Sequence, residues 1–480
     1  MTTHVTLEEP MATPIAMPGL SRSPGISYQQ LLDTDTHPVP DVLRLESTRD
    51  GGSADISKDR YTSRAWHELE VERLWKRVWQ FACREEEIPR PGDYQLYEIA
   101  GMSFIVMRAT DGSIKAYPNA CLHRGRQLKD YSGHCSELRC SFHAFTWTID
   151  GALAHVPARW DFPHIDTEEF HLPELRVGTW AGFVFVNPDQ NAQPLEEFIG
   201  TMADQFSNWD LESAYIEARV CKIIRANWKV TQEAFSEAFH VSGTHPQILP
   251  YLGDTNSQVD VWENFSRVIT PGGTPSPQLD CEPSQEDMLR AMLDVREGNP
   301  TPVSIEEGQT MRAATAELGR TRWRPIVGDR VDGMSDAEMM DSLDYTLFPN
   351  FHPWGAFNRI VYRFRPNGDD HRSSIMEVLF LSPFSGERPP PAPVHWLEEH
   401  ETWSAATELG MLGKVFDQDL FNMSKVQLGL ESTFKPGVTL ANYQEGKVRW
   451  LHDKLTEWVE PDAIADKSAG TCAGTAGGHQ

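Results

Sequence analysis

Two short segments, each with one cysteine and one histidine, constrain this chain more than any other feature. They are Cys121-Leu-His123-Arg-Gly and Cys140-Ser-Phe-His143, with 16 residues between His123 and Cys140. Two thiolates and two imidazoles make a closed set of four donors. Such a set suits a tetrahedral zinc ion, or a [2Fe–2S] cluster in which two histidines hold one of the irons. Zinc fingers usually pair Cys with Cys and His with His. Here each loop supplies one of each, a division that fits a two-iron cluster spanned by both loops. The surroundings read as a small β framework. Tyr94–Ile99, Ser103–Arg108 and Ile114–Tyr117 are strand-like, and Gly92-Asp93, Asp111-Gly112 and Asp150-Gly151 are turn signals. His134 and Cys135, between the two segments, read as ordinary surface residues.

The remaining cysteines do not suggest a disulfide framework. There are seven in all, an odd number spread over a long chain, and no basic-then-apolar leader is visible at the N-terminus. The thiols are expected to be free, in the cytoplasm. The net charge of −27 excludes general nucleic-acid binding, because phosphates would be repelled. No apolar run approaches the ~20 residues of a membrane helix; residues 178–187 and 375–384 read as buried strands.

A chain of 480 residues with 15 Trp and 22 Phe suggests two domains plus tails. Residues 1–40 read as a disordered or loosely docked arm in which Tyr28 to Leu32 can dock locally. Residues 41–88 read as a helical lead-in, because Trp66, Leu69, Val71, Leu74, Trp75, Val78 and Trp79 fall mostly at spacings of three and four. Residues 89–190 form the small all-β unit. Residues 191–462 mix strands (215–224, 258–270, 359–365, 374–381) with helices (229–241, 396–409, 412–432, 444–459). The two types do not alternate regularly, which favours α+β. Residues 272–344 read as a helical excursion, and residues 463–480 as a disordered tail.

A second dense site follows in Asn227-Trp-Lys-Val-Thr-Gln-Glu233-Ala-Phe-Ser-Glu237-Ala-Phe-His240-Val-Ser-Gly-Thr-His245-Pro. On a continuous helix Glu233, Glu237 and His240 would share one face. Gly243 and Pro246 predict a break that lets His245 swing round. Two histidines with a carboxylate, leaving coordination positions open, is the arrangement of non-haem Fe(II) oxygenases. A solvated helix face carries the same residue types.

The first pair of loops resembles the Rieske cluster motif, with Ser141-Phe142 and Ala144-Phe145 where that family commonly has Pro-Tyr and Gly-Trp. The second site resembles the signature of the Rieske non-haem iron oxygenase (aromatic-ring-hydroxylating dioxygenase) alpha subunits, and the resemblance covers roughly residues 60–460. It implies a Rieske domain preceding a helix-grip catalytic domain with an antiparallel sheet and long helices. Cys121, His123, Cys140 and His143 would hold the [2Fe–2S] cluster, and His240 and His245 a mononuclear Fe(II). The third iron ligand would be Asp419, eight residues before Gln427 of a Gln-x-Gly-Leu ending, with Asp417 its nearest competitor. Glu237 would be the catalytic bridging carboxylate between the two centres.

The same resemblance implies a homotrimer or α3β3 assembly, in which each cluster faces a neighbour's iron. O2 would be the cosubstrate, with electrons ultimately from NAD(P)H through a reductase, directly or by way of a ferredoxin. The first reading of function is hydroxylation or dihydroxylation of an aromatic or other hydrophobic ring. A second is demethylation or hydroxylation of a quaternary ammonium substrate. Readings of other classes are a Rieske electron carrier without oxygenase activity and a zinc-stabilised binding protein. Phe235, Phe239, Trp262, Phe351 and Trp354 are candidate pocket walls, and His352 is read as a non-ligand. Between Arg108 and Arg139, six basic side chains face three acidic ones, an excess suited to steering an acidic electron donor.

Overall fold

Strand Ile360–Asn367 has apolar residues on both of its faces, which requires a sheet covered on both sides. Ile360, Tyr362 and Phe364 face one apolar cluster, and Val361 faces another. The computed structural model describes residues 22–293 and 304–461. The chain is α+β, and its largest element is an eight-stranded sheet. In spatial order the strands are Gln258–Val261, Phe265–Thr270, Ser342–Leu347, Phe351–Pro353, Ile360–Asn367, Asp370–Ser382, Tyr215–Ile224 and His395–Leu397. All neighbours pair antiparallel except the last two, which are parallel. The long helix Met411–Ser432 covers one face, with Phe416, Met423 and Leu430 packed on Tyr362, Phe364 and Val378. The C-terminal helix Gly446–Val459 packs against Gln258–Val261 and Phe265–Thr270.

The small β unit has its own core, built on Tyr94, Ile105, Met107, Leu138, Phe145 and Trp147. One sheet runs Ile114–Pro118, Met102–Arg108, Asp93–Ile99 and Gly133–His134. The other runs Glu137–Arg139, Thr146–Thr148 and Leu153–His155. A third sheet, Arg176–Trp180, Phe183–Asn187 and Gln80–Arg84, lies against the other face of the large sheet, with Phe81, Phe183 and Phe185 around Phe351. Buried Arg363 ties these layers together: it donates to the carbonyls of Phe81 and Ala82 and pairs with buried Glu377. Arg219 and Arg363 hold the Glu377 carboxyl far below the usual range, against the upward push of burial.

Several expectations are corrected. The helical lead-in expected over residues 41–88 ends as Arg64–Glu70 and a π turn, Val71–Trp75, after which Gln80–Arg84 is a fully buried strand. Residues 258–270 are two strands of a hairpin, not one, because the chain reverses between Val261 and Phe265. Residues 396–409 are not a helix. They hold an edge strand and two short 3-10 turns, ordered by Lys222 donating to the carbonyls of Glu398, Glu399 and Glu401. The N-terminal arm is docked from residue 22 onward: Ser27 caps helix Tyr28–Leu32, whose Tyr28, Leu31 and Leu32 are buried. Its first 21 residues lie outside the described residues, as do 294–303 of the helical excursion and the tail expected at 463–480. The rest of the excursion carries helices Gln285–Met292, Met311–Val327 and Asp336–Met340. Among the described residues no helix is long and apolar enough to cross a membrane.

Candidate metal centres

The two Cys/His loops have the same backbone plan. In the first, Cys121 N–H donates to Arg126 O and Gly125 N–H to Cys121 O, each at 2.8 Å. In the second, Cys140 N–H donates to Phe145 O at 2.8 Å and Ala144 N–H to Cys140 O at 2.9 Å. The fifth residue of each loop is left-handed, Gly125 at φ +78° and Ala144 at +58°. The plan turns backbone N–H groups toward the sulfurs. Burial pushes the Cys121 thiol up, opposed by the N–H groups of His123 and Arg124. Burial is outweighed at Cys140, where the N–H groups of Phe142 and His143 bring the thiol below its ordinary value. The His123 and His143 rings lie edge to face, centroids 4.8 Å apart, and Phe145 stacks on His123 at 4.6 Å. His143 Nδ1 is buried without a hydrogen-bond partner. An orphaned imidazole nitrogen beside two thiols with N–H donors aimed at them fits a metal–sulfur group.

Ala144 tests this plan. The left-handed region costs an L-residue ~1–2 kcal/mol, and a glycine loses ~0.4–1 kcal/mol more on folding. Ala144→Gly is therefore expected to stabilise the loaded protein by about 0.5–1 kcal/mol, read as a higher urea midpoint. A lower midpoint would show that the loop is not strained there.

The second site departs from the expected straight helix. Asn227 caps helix Trp228–Glu233, which stops at Ala234. Glu233, Glu237 and His240 are therefore not on one continuous helix, although all three border one small cavity. The buried carboxyl of Glu233 meets Tyr61 Oη at 3.2 Å and His452 Nε2 at 2.8 Å, and burial pushes it up to about 8. Glu237 instead folds onto His240, taking its backbone N–H at 2.9 Å and its Nδ1 at 2.8 Å. A short helix, Val241–Thr244, then delivers His245. Asp419, buried in the long helix, places Oδ1 at 2.8 Å from His245 Nε2 and 3.6 Å from His240 Nε2. Among the described residues these three form the one donor set of its kind, with all ligand atoms within 4.8 Å of one another. The Cys/His donors are not so compact a set, as donors divided between two irons need not be.

Asp417, the competitor, faces away and accepts from the backbone N–H groups of Trp403 and Ser404. Gln418 was not anticipated. Its Oε1 meets His245 Nδ1 at 2.9 Å and takes an N–H of Gln247 at 2.6 Å. Both rings are thus fixed from behind by Nδ1, with Nε2 turned to the shared point, as metal-binding histidines require.

Above that point opens a cavity of about 540 Å³ with mostly apolar walls, including Phe235, Trp354, Tyr362 and Phe416. Of the expected walls, Phe235 and Trp354 line it. Phe239 is exposed, Trp262 stacks on Phe265, and Phe351 is buried among Phe81, Phe183 and Phe185. His352 is buried with Nδ1 2.8 Å from Thr346 Oγ1, and burial holds it down at about 4. The basic excess near the first centre is largely neutralised by acids from outside that stretch, Glu85 on Arg108 and Glu174 on Lys115.

Two cysteines and two histidines on paired loops, beside two histidines and a carboxylate under an apolar cavity, are the layout of a two-centre iron oxygenase. The chain belongs to the ring-hydroxylating alpha-subunit family: residues 203–461 match its catalytic-domain model, and residues 78–166 match the Rieske [2Fe–2S] domain. These two domains imply a Rieske cluster and a mononuclear iron. The chain is 34% identical over 200 residues to the anthranilate 1,2-dioxygenase large subunit of Acinetobacter baylyi, covering 40% of this chain and 42% of that one. It is 27% identical over 458 residues to the glycine betaine monooxygenase oxygenase subunit of Chromohalobacter salexigens, covering 91% and 95%. In fold it is similar to the quaternary ammonium Rieske monooxygenase CntA with L-carnitine (TM-score 0.59, 18% identity, 87% of this chain, 100% of that one). It is likewise similar to naphthalene 1,2-dioxygenase from Rhodococcus sp. with indole (TM-score 0.58, 19% identity, 84% and 94%).

Proposed function

We propose that this chain is a terminal oxygenase component that uses O2 and reductase-supplied electrons to hydroxylate or dihydroxylate an aromatic or other hydrophobic ring. The observation that carries this reading is the convergence of His240 Nε2, His245 Nε2 and Asp419 Oδ1 beneath the apolar cavity. In this reading Cys121 and Cys140 hold one iron of the cluster, His123 and His143 hold the other, and the converging trio holds the mononuclear iron. When bound, the cluster supplies single electrons and the mononuclear iron activates O2. The chain's own contribution is positional. Glu237 and Gln418 fix the two imidazoles, and Phe235, Trp354, Tyr362 and Phe416 hold the ring and exclude water. Electrons would come from NAD(P)H through a reductase, directly or by way of a ferredoxin, in a cytoplasmic homotrimer or α3β3 assembly. The test is turnover in 18O2 with a surrogate reductase and a panel of ring compounds, followed by product mass spectrometry. No labelled product from any ring compound would defeat this reading.

One observation favours a second reading, oxidation of a quaternary ammonium compound. Buried Asp344 lines the cavity; its Oδ2 is paired with Lys447, and its Oδ1 lies 3.8 Å from His352 Nδ1 without a close hydrogen bond. A carboxylate oxygen among aromatic faces suits a cationic head. Betaines in the same panel decide between the two readings.

Glu237 gives a sharper test of how the centres communicate. Its two oxygens engage His240 only at Nδ1 and the backbone N–H, leaving lone pairs for a cluster histidine of a neighbouring subunit. Glu237→Gln is expected to retain both metal centres and the assembly, yet slow reoxidation of the reduced cluster on the order of 10–100-fold in single turnover with substrate and O2. Wild-type reoxidation rates would leave Glu237 no bridging role.

A further inference from the structure

A second large cavity, of about 440 Å³, lies away from both centres and shares no lining residue with the cavity over His240. The two back onto one another across residues 354–360: Trp354, Asn358 and Ile360 line the first, while Ala356, Phe357 and Arg359 line the second. The second cavity has apolar walls, among them Pro38, Val39, Trp209, Met334 and Phe357. At one place in the wall stands Arg359, only 8% exposed. Its Nε is buried without a hydrogen-bond partner, and its guanidinium makes no ion pair among the described residues. The other charged groups of the wall are already engaged. Arg330 pairs with Asp210 at 3.2 Å, and Glu338 accepts from Trp209 Nε1 at 3.0 Å and from Ser335 N–H at 2.9 Å.

A guanidinium taken out of water without a partner costs several kcal/mol. The cost shows at Arg359 itself: burial pulls it down to about 10, with Asp210 raising it and Arg330 lowering it. Of the other buried arginines, Arg267, Arg312 and Arg363 each have a carboxylate, and Arg365 and Arg449 donate to backbone carbonyls. Among the described residues Arg359 has neither kind of partner, and it borders a cavity where a carboxylate would sit.

We infer that this cavity is a binding site for a small organic carboxylate, with its carboxylate on the Arg359 guanidinium and its apolar body against the Trp209 and Phe357 walls. The planar fork of arginine matches a carboxylate with two parallel N–H donations. The volume lies in the range of small-ligand pockets and exceeds what a bare inorganic anion fills. Asp210 and Glu338 in the same wall oppose a dianion, so a monocarboxylate is favoured over phosphate.

Calorimetric titration of the metal-loaded, full-length protein tests this with benzoate, its neutral isostere benzamide and inorganic phosphate as probes. Benzoate is expected to bind at one site per chain that remains when the cavity over His240 is blocked by a ring substrate, with benzamide and phosphate at least about tenfold weaker there. Arg359→Met, which removes an unpaired charge while keeping the volume filled, is expected to unfold no earlier than wild type and to weaken benzoate on the order of 10–100-fold. Three results would overturn the inference. Benzamide binding as well as benzoate would make the pocket merely apolar. Benzoate binding that survives Arg359→Met would place the site elsewhere. No benzoate binding at all would leave the guanidinium without this class of ligand.

Discussion

His240→Ala and His245→Ala are each expected to cut substrate turnover by at least two orders of magnitude, beyond the ~10–100-fold typical of losing an outer partner of a metal ligand. Both should leave the red-brown cluster intact. The reason is the separation of the two donor sets. The Cys/His loops close on their own backbone hydrogen bonds within residues 121–145. The His240, His245 and Asp419 atoms come from two different elements and meet only in the catalytic domain. Iron analysis should fall from about three to about two per chain, and the reduced-state EPR signal of the cluster should persist. Asp419→Ala should behave the same way. An active Asp419→Ala beside an iron-depleted Glu237→Ala would make the local trio Glu237, His240 and His245 the ligand set, and the proposed assignment would fail.

Cys140→Ser is expected to remove the visible absorption altogether, and turnover with it. The Cys140 sulfur lies where the N–H groups of Phe142 and His143 stabilise negative charge, an arrangement built for a thiolate. Serine keeps the size but remains a neutral, hard hydroxyl at neutral pH and does not hold iron beside sulfide. About one iron per chain should remain, at the mononuclear site. A colourless wild-type protein containing one zinc would defeat the cluster assignment from the outset, because a single tetrahedral ion would then occupy the four donors.

The contrast between what was legible and what was not follows contact range. Cys121 with His123, Cys140 with His143, and His240 with His245 are each within a few residues of one another, so spacing marked them as candidate donors, and the family resemblance supplied their expected roles. The strands from Asp93 to Pro118 and Tyr215–Ile224 were equally legible, because alternation and turn residues act locally. Asp419 was reached only through resemblance, and nothing local separated it from Asp417. The tertiary structure separates them by giving Asp417 to the Trp403–Ser404 turn and Asp419 to the histidines. Gln418, Asp344 and Arg359 carried no local signal at all. Their roles depend on partners or spaces supplied by segments far away in the chain, such as His245 for Gln418 and Lys447 for Asp344. The helix expected through Glu237 failed for the same reason. Its residues favour helix locally, but the helix ends at Glu233, whose carboxyl meets His452 and Tyr61, and Glu237 closes onto His240 beyond the break. Sequence thus determined which donors exist and which framework carries them. Packing between distant segments decided which carboxylate joins the histidines, what fixes their rings and where the cavities open, since those are set by contacts that no local period encodes.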